Sequence, residues 1–166
     1  MVAGVLNGLL LGGAQALVLR RRGVVVLQWI SASVIGGLTG CALLYLIAAK
    51  MGDANYREAA LGTNLIVGGG LGFSFGAAIG ALQSLGGGGL LSAKHWIAAN
   101  MAGWAPAMAI IMAGAATVQP MQSLPFVALA GVIVGGIAGI VLGLVTSLAL
   151  PASRSRPRQD DPTDQS

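Results

Sequence analysis

Charge is scarce in this 166-residue chain, in which only 8% of the residues are Asp, Glu, Lys or Arg. Soluble globular domains usually carry about 25% charged residues, so this chain has too few charges to cover a water-exposed surface. Hydrophobic residues make up 55% of the sequence. The shortage of charge excludes an ordinary soluble domain and indicates a protein whose main solvent is lipid.

The residues that most catalytic and metal sites require are also rare. One cysteine and one histidine are present, so an internal disulfide is excluded and a zinc site lacks its ligands. Ser–His catalysis needs a nucleophile and a base held together, and His95 lies at the edge of an apolar run. We therefore predict no enzyme activity and no metal site. His95 is the one candidate axial ligand for a haem or pigment metal, although beside Lys94 it is more typical of a solvated interfacial residue.

Five apolar runs dominate the sequence, and none has an acidic or basic residue well inside it. Each holds about 18–27 residues, enough for a helix to cross about 30 Å of hydrocarbon. We predict an all-α, polytopic transmembrane bundle over residues 1–150 and a disordered cytoplasmic tail over 151–166, where Ser, Arg, Pro and Asp replace apolar residues. The predicted spans are 2–19, 23–49, 64–85, 95–117 and 126–150.

Basic residues are distributed unequally between the loops. If the first loop, the third loop and the tail share one side, that side holds seven of the nine Lys and Arg residues, and Lys50 and Arg57 face the other side. The positive-inside rule then predicts an outer N-terminus and a cytoplasmic C-terminus in a bacterial inner membrane. Aromatic and basic residues beside the basic loops are predicted to anchor the helices at the interface. These anchors are Trp29, Trp96, Arg20, Arg21 and Arg22.

The apolar runs fall into two alternating types. Glycines recur every four residues in the first, third and fifth runs, and the residue three positions after the last glycine is Gln15, Gln83 or Thr146. The second and fourth runs share the pattern Trp-Ile-x-Ala-Ser/Asn-x-x-Gly. This alternation predicts a repeated helical hairpin in the order A-B-A-B-A. Successive repeats have the same orientation, which differs from the inverted repeats of many transporters.

Glycines four residues apart lie on one helix face, where a neighbouring backbone can approach closely. We predict that these faces pack helices within the bundle or against a protein partner. The predicted packing positions are Gly4, Gly8, Gly12, Gly36, Gly40, Gly68, Gly72, Gly76, Gly80, Gly103, Gly131, Gly135, Gly139 and Gly143. Predicted buried polar residues, which need hydrogen-bond partners, are Gln15, Gln83, Asn100 and Thr146. The alternative for the glutamines is a polar ring around a pore or ligand.

The combined pattern resembles small multi-pass membrane proteins of photosynthetic and related bacteria. Its elements are a glycine series ending in Gly-x-x-Gln-x-Leu, a basic turn, and Trp-Ile-x-Ala-Ser/Asn-x-x-Gly. The resemblance covers roughly residues 4–150. It implies a helical membrane fold and a bacterial source, and it implies no particular reaction.

These observations lead to two hypotheses about function. The first is a non-enzymatic structural or accessory subunit of a larger membrane complex, whose partners are the lipid bilayer and either another protein or a second copy bound through the glycine faces. The second is a small channel or facilitator for an uncharged solute. No cofactor is expected, and no nucleic-acid partner is expected because the basic residues lie in short clusters between apolar runs.

Overall fold

All regular secondary structure is helical in the computed structural model, which describes residues 2–51, 60–87, 92–118 and 122–150. The five α-helices are α1 (Val2–Leu19), α2 (Val26–Met51), α3 (Leu61–Gly86), α4 (Ala93–Thr117) and α5 (Leu124–Leu148). The predicted all-α helical bundle is confirmed. The predicted tail over 151–166 lies outside the described residues.

Four of these helices are long and apolar enough to cross a membrane: α3, α4, α5 and the part of α2 from Val26 to Leu46. Helix α5 is the most apolar, with a mean hydropathy of 2.5. Helix α1 contributes a shorter apolar stretch, Gly4–Leu19, so a fifth span remains a prediction. The architecture is that of a membrane-embedded helical bundle.

A tight turn connects α1 to α2. Arg20–Arg22 form a 3-10 turn, and Gly23 follows with a φ of 91°. This left-handed conformation favours glycine because a Cβ would be strained there. The backbone N–H of Gly23 donates to the carbonyl oxygen of Arg20 at 3.1 Å. The chain therefore reverses at once, and α2 returns beside α1.

Each helix packs against the next one in the chain, and α3 and α4 share the most extensive contact. One buried cluster near the middle of the bundle contains Phe75, Ile79, Trp104, Ala107, Ala138 and Leu142. A second contains Ala16, Leu19, Val24, Trp29 and Trp96. This second cluster lies at the arginine end, which we define as the end of the bundle that contains Arg20–Arg22 and the first turn of α4.

The outside of the bundle is covered by large apolar side chains. Leu10 is 75% exposed, Ile66 is 78% exposed and Leu148 is 85% exposed. A continuous apolar surface of this kind would make a soluble protein aggregate. Surrounding lipid solvates such side chains, so the surface agrees with the length and composition of the helices.

Candidate functional site

A hydrogen-bonded group of five side chains connects four helices near the arginine end. Gln15 comes from α1, Trp29 and Ser33 from α2, Gln83 from α3 and Trp96 from α4. We call these five residues the Trp–Gln cluster. Side-chain hydrogen bonds between membrane helices contribute about 0.6–2 kcal/mol each, so the cluster fixes the mutual positions of the four helices.

Gln83 is the centre of the Trp–Gln cluster and is completely buried. Its Nε2 donates to Oε1 of Gln15 at 2.8 Å and to Oγ of Ser33 at 2.9 Å. Its Oε1 accepts a hydrogen bond from Nε1 of Trp96 at 3.1 Å. A buried amide is costly unless it is bonded, and here both amide hydrogens and the oxygen of Gln83 have partners.

Gln15 accepts two hydrogen bonds at the edge of the cluster. Its Oε1 receives one from Nε1 of Trp29 at 3.3 Å, in addition to the one from Gln83. Each glutamine therefore accepts a bond from the tryptophan of the helix that follows it in the chain. The Gln15–Trp29 bond and the Gln83–Trp96 bond have the same donor and acceptor atoms, Nε1 and Oε1.

The structure places Trp29 and Trp96 differently from the predicted interfacial belt. Trp29 has no exposed surface and Trp96 is 2% exposed. Their ring centroids are 5.4 Å apart in an edge-to-face arrangement, which is a favoured geometry for aromatic pairs. Inside the bundle, the fully buried Gln83 and the partly exposed Gln15 provide acceptors for the indole N–H groups.

Glycines of α1 contact the backbone of α2. A Cβ placed on Gly8 would lie 2.5 Å from Cα of Val34, and one on Gly12 would lie 2.5 Å from Cβ of Ser33. At Gly4 the nearest atom would be the carbonyl oxygen of Gly37 at 2.7 Å. Since ordinary carbon contacts are about 3.5–4.0 Å, these positions have no room for a side chain.

Glycines of α3 have the same relation to α4. A Cβ would lie 2.8 Å from Cα of Ala109 at Gly68, and 2.9 Å from Cα of Ile97 at Gly80. At Gly72 and Gly76 it would meet the carbonyl oxygens of Trp104 and Asn100. These four glycines let α3 and α4 approach along about three turns, which explains why this pair has the largest contact.

The glycines of α2 and α4 accommodate side chains of the next helix. A Cβ on Gly36 would lie 3.1 Å from Cα of Ile79, and one on Gly40 would overlap the ring of Phe75. A Cβ on Gly103 would lie 2.9 Å from Cδ1 of Leu142. Gly36 and Gly40 therefore let the α1–α2 hairpin pack against α3, and Gly103 lets α4 pack against α5.

The glycines of α5 are different. Nothing lies within 4 Å of a Cβ placed on any of these residues, and all of them are exposed: Gly131, Gly135, Gly136, Gly139 and Gly143. We call the surface formed by Gly131, Gly135, Gly139 and Gly143 the α5 glycine face. Helix α5 contacts α4 mainly through larger residues, because Leu142 fills the space at Gly103 and Val134 fills the space at Gly114. The α5 glycine face is left uncovered by the described residues.

The two other predicted buried polar residues are buried, and each bonds within its own helix. Asn100 has no exposed surface and donates from Nδ2 to the carbonyl oxygen of Trp96 at 3.0 Å. Thr146 is 6% exposed and donates from Oγ1 to the carbonyl oxygen of Leu142 at 2.8 Å. Thr146, which occupies the position of the glutamines in the pattern, therefore needs no tryptophan from another helix.

The charged and titratable candidates lie on the surface of the arginine end. Arg20, Arg21, Lys94 and His95 are exposed, and the side chain of Arg22 lies outside the described set. His95 borders a shallow depression between the start of α4 and the end of α5. The described ranges contain no group of three or more His, Cys, Asp or Glu residues that could hold a metal ion.

Two parts of the site were missed by sequence reasoning. Ser33 accepts a bond from Gln83 and donates from Oγ to the carbonyl oxygen of Trp29 at 2.8 Å. Phe75 and Trp104 form an edge-to-face pair with centroids 4.5 Å apart. A sequence signal for the cluster existed, because glutamine and tryptophan are separated by 14 residues in one hairpin and by 13 in the other.

Fold and site together define a polytopic helical membrane protein in which side-chain hydrogen bonds of the Trp–Gln cluster connect four helices. No known protein family, curated protein or solved structure matches this chain. The Trp–Gln cluster contains amides, indoles and one hydroxyl, which form hydrogen bonds and have no ionisable group that titrates near neutral pH. Its chemistry suits helix association.

Proposed function

We propose that this chain is a non-enzymatic structural or accessory subunit of a larger membrane assembly, which it joins through the α5 glycine face. One observation supports this proposal above the others. Series of three or more glycines at four-residue spacing occur in three helices; those of α1 and α3 contact a neighbouring helix, and those of α5 contact nothing within 4 Å. A transmembrane helix of another subunit would give α5 the contact that α1 and α3 already have.

The physical basis is close packing in lipid. Apolar side chains gain little from leaving lipid for a protein interface, so membrane helices associate through dispersion contacts and weak Cα–H···O bonds between closely placed backbones. The α5 glycine face offers four such positions along one helix. The docked helix belongs either to a different protein or to a second copy of this chain.

Co-purification tests the proposal. The double variant Gly135→Leu/Gly139→Leu places two side chains on the α5 glycine face, and we expect it to fold because no atom occupies that space. After extraction of membranes in mild detergent, the wild type should run in a larger complex and the double variant as a single chain. Ile137→Phe is the matched control, since Ile137 is 49% exposed on α5 and lies outside the glycine series.

Analysis of the wild-type complex by mass spectrometry identifies the partner as a second copy or another protein. A wild type that leaves the membrane as a single chain would contradict the proposal. So would a double variant that retains the same complex as the wild type.

The channel hypothesis has less support. Gln15 and Gln83 bond to each other and to the two indoles, so both amide oxygens and the Nε2 of Gln83 are engaged in helix contacts. The experiment that separates the hypotheses is solute flux into liposomes containing the purified chain. Flux of a small uncharged solute that disappears in Gln83→Leu would support a channel and would count against a purely structural role.

We also propose the membrane and the orientation. The arginine end would face the cytoplasm of a bacterial inner membrane, because Arg20–Arg22 and Lys94 lie at that end and cytoplasmic loops are enriched in basic residues. A cysteine-specific reagent that does not cross membranes should fail to label a cysteine placed at Arg21 in intact cells and should label it after lysis, in a Cys41→Ala background. Labelling in intact cells would overturn this orientation.

A further inference from the structure

An apolar groove separates α1 from α5 at the arginine end. Its volume is about 370 Å³, which lies within the range of about 300–1,000 Å³ that is typical of sites for small molecules. Leu11, Ala14 and Val18 form the α1 wall, and Trp96 of α4 also borders the groove. Gly139 and Gly143 contribute to the α5 wall, so the groove and the α5 glycine face share these two glycines.

The walls of this groove fit a hydrocarbon chain. Side chains of Leu11, Val18 and Leu142 are apolar, and the two glycines widen the groove on the α5 side. A groove that opens to the membrane is filled by lipid unless a protein covers it. The shape alone would accept the acyl chain of any phospholipid.

Charge at the mouth of the groove adds selectivity. Leu19 is the last residue of α1 and lines the groove, and the exposed Arg20 and Arg21 follow it directly. The described residues contain no Asp or Glu that could neutralise these arginines. Guanidinium groups bind phosphate strongly through paired N–H donors, so this mouth is complementary to an anionic headgroup.

A hydrogen-bond donor lies between the mouth and the apolar part. Gln15 lines the groove and is partly exposed. Its Oε1 accepts bonds from Trp29 and Gln83, whereas its Nε2 donates no bond within the described residues. Gln15 precedes Arg20 by five residues, which places it about 7 Å deeper along the helix. The ester carbonyl of a phospholipid lies between phosphate and acyl chain, where this amide can donate to it.

We propose that the α1–α5 groove is a binding site for one anionic phospholipid, with an acyl chain between α1 and α5 and the phosphate at Arg20 and Arg21. The site belongs to a single chain and does not depend on the proposed docking through α5. Binding would fill the space between the first and last helices and would stabilise the bundle by mass action.

Native mass spectrometry of the full chain tests whether the groove selects an anionic headgroup. The purified protein is incubated with phosphatidylglycerol or phosphatidylcholine of identical acyl chains, and the lipid retained by the single chain is measured. We expect one phosphatidylglycerol to be retained in preference to phosphatidylcholine. Arg20→Gln and Arg21→Gln should each lower this preference about fivefold, the contribution expected of a basic residue near an anionic lipid surface.

Lys94→Gln is the matched control, because it removes one positive charge from the same end, and Lys94 belongs to α4, whereas Arg20 and Arg21 directly follow the groove-lining Leu19. It should leave the preference unchanged. Equal retention of the two lipids by the wild type would overturn the proposal. An effect of Lys94→Gln as large as those of the arginine variants would also overturn it, because the preference would then reflect general charge.

A second variant tests whether an acyl chain occupies the groove between α1 and α5. Ala14 lines the groove and is exposed, so Ala14→Phe should fill the groove without disturbing the interior. We expect it to lower the retention of both lipids together, whereas Leu10→Phe, on the exposed surface of α1 outside the groove, should retain them as the wild type does. Full retention by Ala14→Phe would exclude the groove as the site. A wild type recovered as a lipid-free dimer would show that a second copy covers the groove.

Discussion

Helices α3 and α5 carry the same glycine spacing in different surroundings. In α3 the four glycines lie against the backbone of α4, and a methyl group at any of them would overlap an atom of that helix. In α5 a methyl group at any of the four equivalent glycines would meet nothing. Glycine spacing therefore identifies a surface suited to close approach, and only the three-dimensional structure shows whether the chain itself supplies the neighbour.

The same two helices differ in the polar residue that follows the glycines. Gln83 of α3 bonds to side chains from three positions in α1, α2 and α4, whereas Thr146 of α5 bonds to its own helix. Helix α3 is therefore held on several sides, and α5 is held mainly by α4. Helix α5 combines an uncovered face with a satisfied interior hydroxyl, which suits a helix at the boundary with another subunit.

A single methyl group at matched positions should give the largest contrast between α3 and α5. Gly76→Ala places a Cβ 2.9 Å from Cα of Met101. Overpacking of this kind lowers the free energy of unfolding by about 1–3 kcal/mol. We expect a loss at the upper end of this range, because the obstructing atoms belong to the backbone of α4. Gly135→Ala should change the free energy of unfolding by less than about 0.5 kcal/mol. Unfolding by SDS in mixed micelles, followed by tryptophan fluorescence, measures both. Equal costs at the two positions would refute the contrast.

Removal of the Gln83 amide should cause the next largest loss in the free energy of unfolding. Gln83→Leu keeps the volume of the side chain but deletes bonds to Gln15, Ser33 and Trp96, which should cost about 2 kcal/mol at about 0.6–1 kcal/mol per bond. The same SDS titration measures this loss. Ser84→Ala is the control, because within the described residues Ser84 bonds to the carbonyl oxygen of Ala81 alone, in its own helix. A variant as stable as the wild type would show that the Trp–Gln cluster does not hold the helices together.

Replacement of Trp29 or Trp96 by phenylalanine should lower the free energy of unfolding by a smaller amount, which differs between the two positions. Trp96→Phe removes a donor that bonds at 3.1 Å to the fully buried Gln83, and Trp29→Phe removes one that bonds at 3.3 Å to the partly exposed Gln15. We expect a loss of about 1 kcal/mol for Trp96→Phe and about half of that for Trp29→Phe. Unfolding in SDS followed by far-ultraviolet circular dichroism avoids dependence on the replaced fluorophore. The reverse order would contradict the central place given to Gln83.

Thr146 should be the least sensitive of the buried polar residues. Thr146→Val deletes a hydroxyl that bonds to the carbonyl oxygens of Leu142 and Gly143 in its own helix. Those carbonyls retain the ordinary helical bonds, so the change in unfolding free energy should stay below about 0.5 kcal/mol. The measurement is again SDS titration, with Gln83→Leu as the reference. A cost comparable to that of Gln83→Leu would mean that Thr146 has a partner in another helix.

Much of the fold could be predicted from the sequence because the helices follow the apolar runs. The predicted span 2–19 matches α1, and 95–117 and 126–150 match α4 and α5 to within two residues. The ends of the helices could be predicted because arginines, glycines and prolines interrupt the apolar runs. Length and hydropathy are local properties, so neither requires knowledge of the packing.

The contacts of the site could not be predicted in the same way. A tryptophan after a basic loop suits an interfacial belt as well as a buried cluster. Only the contacts of the assembled bundle decide for Trp29 and Trp96, which pack against each other and donate to Gln15 of α1 and Gln83 of α3. The uncovered state of the α5 glycine face is also a property of the assembled bundle. Recurrence of Gln and Trp at nearly equal separations was the one sequence feature that indicated a shared contact.

Site-specific photo-crosslinking in native membranes would show whether another helix docks on the α5 glycine face. A photoreactive amino acid placed at Gly135, on the α5 glycine face, should give one discrete crosslinked product that contains this chain and its docked partner. The same amino acid at Ile137, which is exposed on α5 outside the glycine series, should give none. Equal crosslinking at the two positions, or no product at Gly135, would contradict docking through the α5 glycine face.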